Sequence, residues 1–335
     1  MVQKAVSYID LLGFSDAVQN NPEGALLMLS HFNSIVNSLN FERAVHPSHK
    51  YISNLQGLAS RTSNESFEHF MPFSDSVFIV SKNCSDFVLQ LGNFVKESFM
   101  FNSHVFVNSD DPNDPTAYHS VGIDSSDPNN IHQISIPYHE CPVLFRGGIS
   151  FGNVIETEQK GVFNNRVASY KNLMGEAVVH AVKLEGLKRE DGTKIKGPRL
   201  VLNSPVYEQL NKETKLYVRQ LPEDKNYYEI LWPAMGYILE NKDTFDQEFN
   251  HFDELFNPAF NLWKYYKAKD VANNTEVKIH YERFLELIVA SAIRIYNYMG
   301  MKNSVLQNLS TIIKNKFSND DRICIFEGVV ENSLT

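Results

Sequence analysis

The hydrophobic and polar positions change period several times along the chain. Residues 4–10, KAVSYID, place Val6 and Tyr8 around Ser7 and then turn apolar, which predicts a short strand ending at Asp10. From Pro22 and Glu23 a helical period begins. Leu26, Leu29, Phe32, Val36 and Leu39 recur at steps of three and four, predicting a helix of about five turns. The stretch from His46 to Glu68 is polar and irregular. FMPFSDSVFIV, 70–80, predicts two short strands about a turn at Ser74-Asp75. Phe87, Leu91, Phe94 and Val95 then share one face of a helix.

Residues 108–132 are rich in Asp, Asn, Pro and Ser and predict a long exposed loop. VLFRGGISFGNVIE, 143–156, predicts a strand with a glycine-marked distortion. MGEAVVHAVKLEGL, 174–187, predicts a compact helix with small residues. RLVLN and YYEILW predict later strands, joined by a helical SPVYEQLN. The order β-α-β-β-α-β, followed by α-β and a further strand, is an α+β, ferredoxin-like (split βαβ) plan with additional strands. The composition shifts after Pro233, and three helices are expected within 243–315, including HYERFLELIVASAIRIYNYM. The expected organisation is a domain over 1–238 and a mainly helical C-terminal extension over 239–335.

Composition narrows the setting. The net charge is −9, from 31 basic and 40 acidic residues, with no basic block, which argues against nucleic acid as a partner. Cys84, Cys141 and Cys324 are sparse and odd in number, which suits a reducing, cytoplasmic location rather than a disulfide framework. The N-terminus lacks a signal-peptide core, and no window is long and apolar enough for membrane insertion.

The chemistry starts at YIDLLGFSDAV, 8–18, where Asp10 puts a carboxylate inside an apolar run. Such a group is costly to bury without a partner or a metal. Taken alone, Asp10 reads as a strand-ending turn residue, and Ser74-Asp75-Ser76 suits any turn. In the expected topology, however, the end of strand 1 lies beside the hairpin, so Asp10 and Asp75 meet at one sheet edge. Two close carboxylates repel unless a cation lies between them. Mg²⁺ takes one or two carboxylates together with substrate phosphates. The Leu11 carbonyl is a further candidate ligand, and Gly13 lets the backbone approach phosphates closely.

IDLLGFSDAV resembles the first metal motif of class III nucleotide cyclases, and FSDSVFIV resembles the second. FRGGISFGNV is similar to their Arg-x-Gly-Ile-x-x-Gly strand, and GEAVVHAVKLE to their helix ending in Leu/Met-Glu. The motifs follow family order over residues 9–185, within the first 235 or so. The resemblance implies a class III cyclase catalytic domain. It makes Asp10 and Asp75 the ligands of two divalent cations, Mg²⁺ or Mn²⁺, and Arg146 the catalytic contact to the polyphosphate. It places Gly13 and Phe14 at the nucleotide, and it implies a homodimer whose composite sites take helix residues from the second subunit.

The departures concern the base and the transition state. Met71 and Ala177 stand where the family reads a purine, and Val179 and Lys183 stand where it has an Asn and a catalytic Arg. Metals kept and purine readers lost resemble the bacterial Pycsar cyclases. That family implies UTP or CTP as substrate, cUMP or cCMP as product in anti-phage defence, and a separate cyclic-nucleotide-sensing effector. Tyr51 is a candidate for the space a purine needs. Two other readings stand beside this one: an adenylyl or guanylyl cyclase with unusual base contacts, and a non-catalytic nucleotide-binding module. A zinc site from His132 and Tyr138–Cys141 matches no zinc spacing and reads as a surface loop. The Trp263–Tyr266 stretch reads as core or dimer packing.

Overall fold

The computed structural model describes residues 2–20, 22, 24–26, 28, 29, 32, 66–73, 75–103, 106, 120–124, 132–136, 144–163, 166–235, 250–273 and 276–298. Tyr51, Val36, Leu39, Tyr138–Cys141 and the third expected C-terminal helix lie outside them.

The sheet is organised around β1 (Val2–Leu12), whose two faces are both covered. Ala5, Ile9 and Leu11 join the main core, while Val6 and Tyr8 join a smaller cluster on the opposite face. This alternation is what a period of two dictates. β2 (His69–Phe73) and β3 (Ser76–Ser81) form the expected hairpin. β3 and β6 (Leu144–Phe163) each pair antiparallel with β1. The order β2-β3-β1-β6 is the ferredoxin-like core, and β8 (Leu200–Leu202), β10 (Asp224–Ile230) and β9 (Val218–Leu221) extend it in that order.

The structure corrects several expectations. β1 does not end at Asp10: it runs to Leu12, so Asp10 is paired on both sides. β6 is not a strand of 143–156. Its distal half pairs with β7 (Arg166–Met174) as a long two-stranded arm, which the polar stretch 157–171 conceals. The expected loop over 108–132 contains β4 (Ser120–Asp124), which pairs with β5 (His132–Ile136) away from the main sheet.

The first helical region comprises α1 (Phe14–Asn20) and helical residues among 22–32. Its inward stripe is Ala25, Met28 and Phe32, whereas Leu26, expected inside, is 71% exposed. Phe32, inward as expected, packs on Phe94 and Phe145, with ring centroids 5.8 Å and 5.3 Å apart. α2 (Cys84–Asn102) covers the same face of the sheet. Asn83 caps it by accepting from the Ser85 and Asp86 amides. α3 (Glu176–Glu185) covers the other face, and α4 (Ser204–Gln209) links β8 to β9.

The C-terminal helices α5 (Asn250–Asn273) and α6 (Lys278–Tyr298) share the main core with the sheet. Phe284 of α6 stacks on Trp232 at 4.8 Å and meets Phe99 edge-on at 4.7 Å. Trp263 is buried, in keeping with the packing role expected of its stretch. At the start of α6, the partly buried His280 accepts from the Gly197 amide at Nδ1, 3.2 Å away. Burial first, and then the Arg146 and Lys196 cations, push its pKa from 6.5 down to about 4, against the Asp270 and Glu276 carboxylates.

A histidine with a lowered folded pKa gains a proton on unfolding, so it contributes full stability above about pH 6.5 and loses it as the pH falls toward 4. Urea unfolding at pH 7 and pH 5 should show the wild type losing about 2 kcal/mol more than His280→Asn, a side chain that does not titrate there. Parallel losses in the two proteins would refute the neutral imidazole.

Candidate active site

Strand register assembles the site. Asp10 of β1 stands opposite Ser76 of β3 on one side and opposite Arg146 of β6 on the other. Side chains on one rung of an antiparallel sheet share a face, so the three groups converge. The Ser76 hydroxyl donates to Asp10 Oδ1 at 3.3 Å, and Arg146 donates to Oδ2 at 3.1 Å. Tyr8 and Ser76 share a further hydrogen bond of 2.9 Å between their hydroxyls.

Asp75 sits at the tip of the β2–β3 hairpin, where its carbonyl accepts from the Leu11 amide at 2.9 Å. The N–H and C=O of a strand residue point the same way, so the Leu11 carbonyl opens on the side where Asp75 lies. Burial is the main reason the Asp10 carboxyl is held above its usual pKa. The Glu185 and Asp75 carboxylates add to this, against the pull of Arg146 and the Ser76 hydrogen bond.

Glu185, at the end of α3, completes the constellation. It accepts from Arg146 Nε at 2.5 Å and from Lys194 Nζ at 3.0 Å. The guanidinium therefore lies between two carboxylates, with its side chain only 15% exposed. α3 reaches the rung because Gly148 leaves room for it. A Cβ on Gly148 would stand 2.2 Å from the Ala181 carbonyl oxygen and 2.8 Å from the Glu185 nitrogen. Gly148 thus serves close helix–sheet packing beside the site, whereas Gly147 lies against Tyr8 and Ile9 of β1.

The remaining candidates are spread more widely. Gly13, with φ +82°, makes the turn from β1 into α1. Phe14 packs against the main core. Met71 lies in the smaller cluster with Tyr8 and Phe78. Ala177 is fully buried there beside Gly152 and is not on the Asp10 rung. Lys183 is exposed on α3, as is Val179 at the Asn position. Ser76, Glu185 and Lys194 were not singled out from the sequence. Glu185 was accessible from periodicity, because Ala177, Ala181 and Glu185 fall at successive four-residue steps along one helix face.

Three carboxylates, Asp10, Asp75 and Glu185, gather here with Arg146 and Lys194. A divalent cation suits this donor set: it takes one or two carboxylates from the protein and would relieve the repulsion that Asp75 and Glu185 add to the burial of Asp10. Asp10, Asp75 and the Leu11 carbonyl are the groups that could hold it. Among the described residues, no group of three or more His, Cys, Asp or Glu side chains forms an all-protein metal cage. No helix among them is long and apolar enough to cross a membrane.

No protein-family profile matches the chain, and no curated protein matches it significantly. Among solved structures, an adenylate cyclase of Trypanosoma brucei in its monomeric state is similar at 13% identity with a TM-score of 0.37, over 68% of this chain and 87% of that one. A second such structure is similar at 13% identity and 0.35, over 69% and 90%. The guanylyl cyclase Cya2 is similar at 11% identity and 0.36, over 69% and 92%. These likenesses are too distant to bear on activity; the ferredoxin-like core rests on the strand order itself.

Gly148→Ala should force α3 off the sheet. An overpacking cost of roughly 1–3 kcal/mol is expected, read as a lower denaturant midpoint with faster amide exchange over 176–185. An unchanged midpoint would contradict the close approach.

Proposed function

We propose that the chain is a nucleotide cyclase that converts UTP or CTP to the 3',5'-cyclic nucleotide and pyrophosphate. The observation that carries this reading is the Ser76–Asp10–Arg146 rung, with Asp75 held one residue away by the Leu11 amide. A carboxylate pair and a guanidinium side by side suit a triphosphate and its counter-cations. Two divalent cations, Mg²⁺ or Mn²⁺, would supply charge neutralisation and acidify the ribose 3'-hydroxyl.

In this scheme the 3'-oxygen attacks the α-phosphorus, the bond to the β-phosphate bridging oxygen breaks, and the hydroxyl proton leaves to solvent. Arg146 stabilises the charge that develops on the phosphates. Pyrimidine preference is supported by Met71 and Ala177, which stand at the purine-reading positions with no donor and at most a weak thioether acceptor. Gly13, Phe14 and Tyr51 complete the nucleotide-binding set.

Lys183 is assigned to a second copy's site. It lies on an exposed face of α3 with Val179 and Val182, which are 51% and 41% exposed, near Met174. A homodimer that covers this apolar surface would give Lys183 a composite role. The reading extends to second-messenger synthesis in anti-phage defence in the cytoplasm. It calls for a separate effector that senses the cyclic nucleotide and needs neither nucleic acid nor membrane insertion. A second reading, a non-catalytic nucleotide-binding module, is favoured by Val179 and Lys183 at the family's Asn and Arg positions.

The test is product analysis by mass spectrometry after incubation with each NTP and Mn²⁺. A cyclic pyrimidine product is expected, and Asp10→Ala, Asp75→Ala and Arg146→Ala should each lower turnover by about 10²–10³-fold or more with the fold intact. A cAMP-only or cGMP-only result would reject the pyrimidine assignment. Nucleotide binding without product would leave the binding module.

A further inference from the structure

The segment between α3 and β8 ties the C-terminal helices to the rung. Lys188 and Lys194 bridge a small hairpin whose Lys194 reaches Glu185. Beyond it, Lys196 pairs with Glu276, just before α6. Gly197 takes φ +104° and lies flat against α6: a Cβ there would come within 2.5 Å of the Arg283 Cβ. Its N–H donates to His280 Nδ1 at 3.2 Å. Its carbonyl accepts from the Arg199 amide at 3.0 Å, and the Arg199 carbonyl accepts from the Gly147 amide at 2.8 Å.

Two short paths therefore lead from α6 to Arg146. One is backbone: His280, Gly197, Arg199, and Gly147 beside Arg146. The other is ionic: Glu276 to Lys196, then along the segment to Lys194, Glu185 and Arg146 Nε. The imidazole is neutral near pH 7, so Nδ1 offers a lone pair and the proton sits on Nε2. The Arg146 cation is near enough to disfavour a proton on His280, yet His280 has no part in the proposed chemistry.

We infer that His280 is a positioning residue: by holding the Gly197 turn it sets the place of Arg146 against Asp10 and Glu185. The C-terminal helices are then a working part of the site. The effect on turnover rests on the cyclase reading; the effect on the place of Arg146 does not.

The experiment uses the full chain. His280→Ala and His280→Gln both withdraw the acceptor from Gly197, the second keeping most of the bulk; His280→Asn returns an acceptor at the Nδ1 position. The first readout is the Arg146 Nε–H resonance, identified by its loss in Arg146→Ala. It should shift and broaden in whichever of the two acceptor-withdrawing variants folds and return in His280→Asn. The second is a double-mutant cycle on turnover. Withdrawal should cost on the order of ten- to a hundredfold in the wild-type background and little in Arg146→Ala, because the two share one route. An unmoved resonance overturns the inference at any level of activity. Losses that multiply in the double variant overturn it too, since they mark a merely structural histidine. If the wild type forms no cyclic product, the cyclase reading falls and the resonance alone decides the positional claim.

Discussion

Asp10 is a carboxylate placed in a central strand, and much of the site follows from keeping it charged there. Burial penalises the anion, and the neighbouring Asp75 and Glu185 penalise it again. The sheet compensates in register, with a hydroxyl from β3 on one oxygen and a guanidinium from β6 on the other. Arg146 is itself three-quarters or more enclosed, so it needs a second carboxylate, and Glu185 is brought to it. Removing one member of such a set leaves the others uncompensated, which is why buried ionic groups are costly to break singly.

That requirement propagates into packing. Glu185 reaches the rung only if α3 lies close to β6, and the helix lies close because Gly148 faces Ala181 with no side chain between backbone and backbone. The same helix has a small inner face, Ala177 and Ala181, and leaves Val179, Val182 and Lys183 outward. On the opposite face of the sheet, α2, α5 and α6 build the larger core around Phe94, Phe99, Trp232 and Phe284. α6 touches both regions: Phe284 anchors it in the core, while His280 and Arg283 press on the Gly197 turn that leads back to Arg146.

The readable parts of the chain were those with local causes. The hairpin about Ser74-Asp75 shows as two apolar runs around a polar turn, and α3 and α6 show as helical periods. The harder parts had causes elsewhere. In the helical region expected from Leu26, Leu29 and Phe32, Leu26 is outside and Ala25 and Met28 are inside, where Phe32 packs on Phe94 and Phe145, rings supplied by distant segments. The β6–β7 arm is largely polar, and the β4–β5 hairpin offers only Val121/Ile123 and Ile134/Ile136 as alternating apolar positions within a stretch rich in Asp, Asn, Pro and Ser. Glu185 lay in a recognised helix motif, but its role needs a partner on β6 that no local pattern reveals.

By itself the sequence determined the strand and helix order of the ferredoxin-like core, the position of two aspartates at one end of it, and an arginine on the strand that follows. These depend on periods of 2 and 3.6 and on turn chemistry, which are properties of neighbouring residues. Only the tertiary structure decided that Asp10, Ser76 and Arg146 share a rung, that Glu185, itself paired with Lys194, holds the arginine from the helix side, and that α6 reaches the same arginine through Gly197. Those are matters of register and close approach between segments as far as 136 residues apart, and such contacts are set by how whole elements pack rather than by any stretch of chain alone.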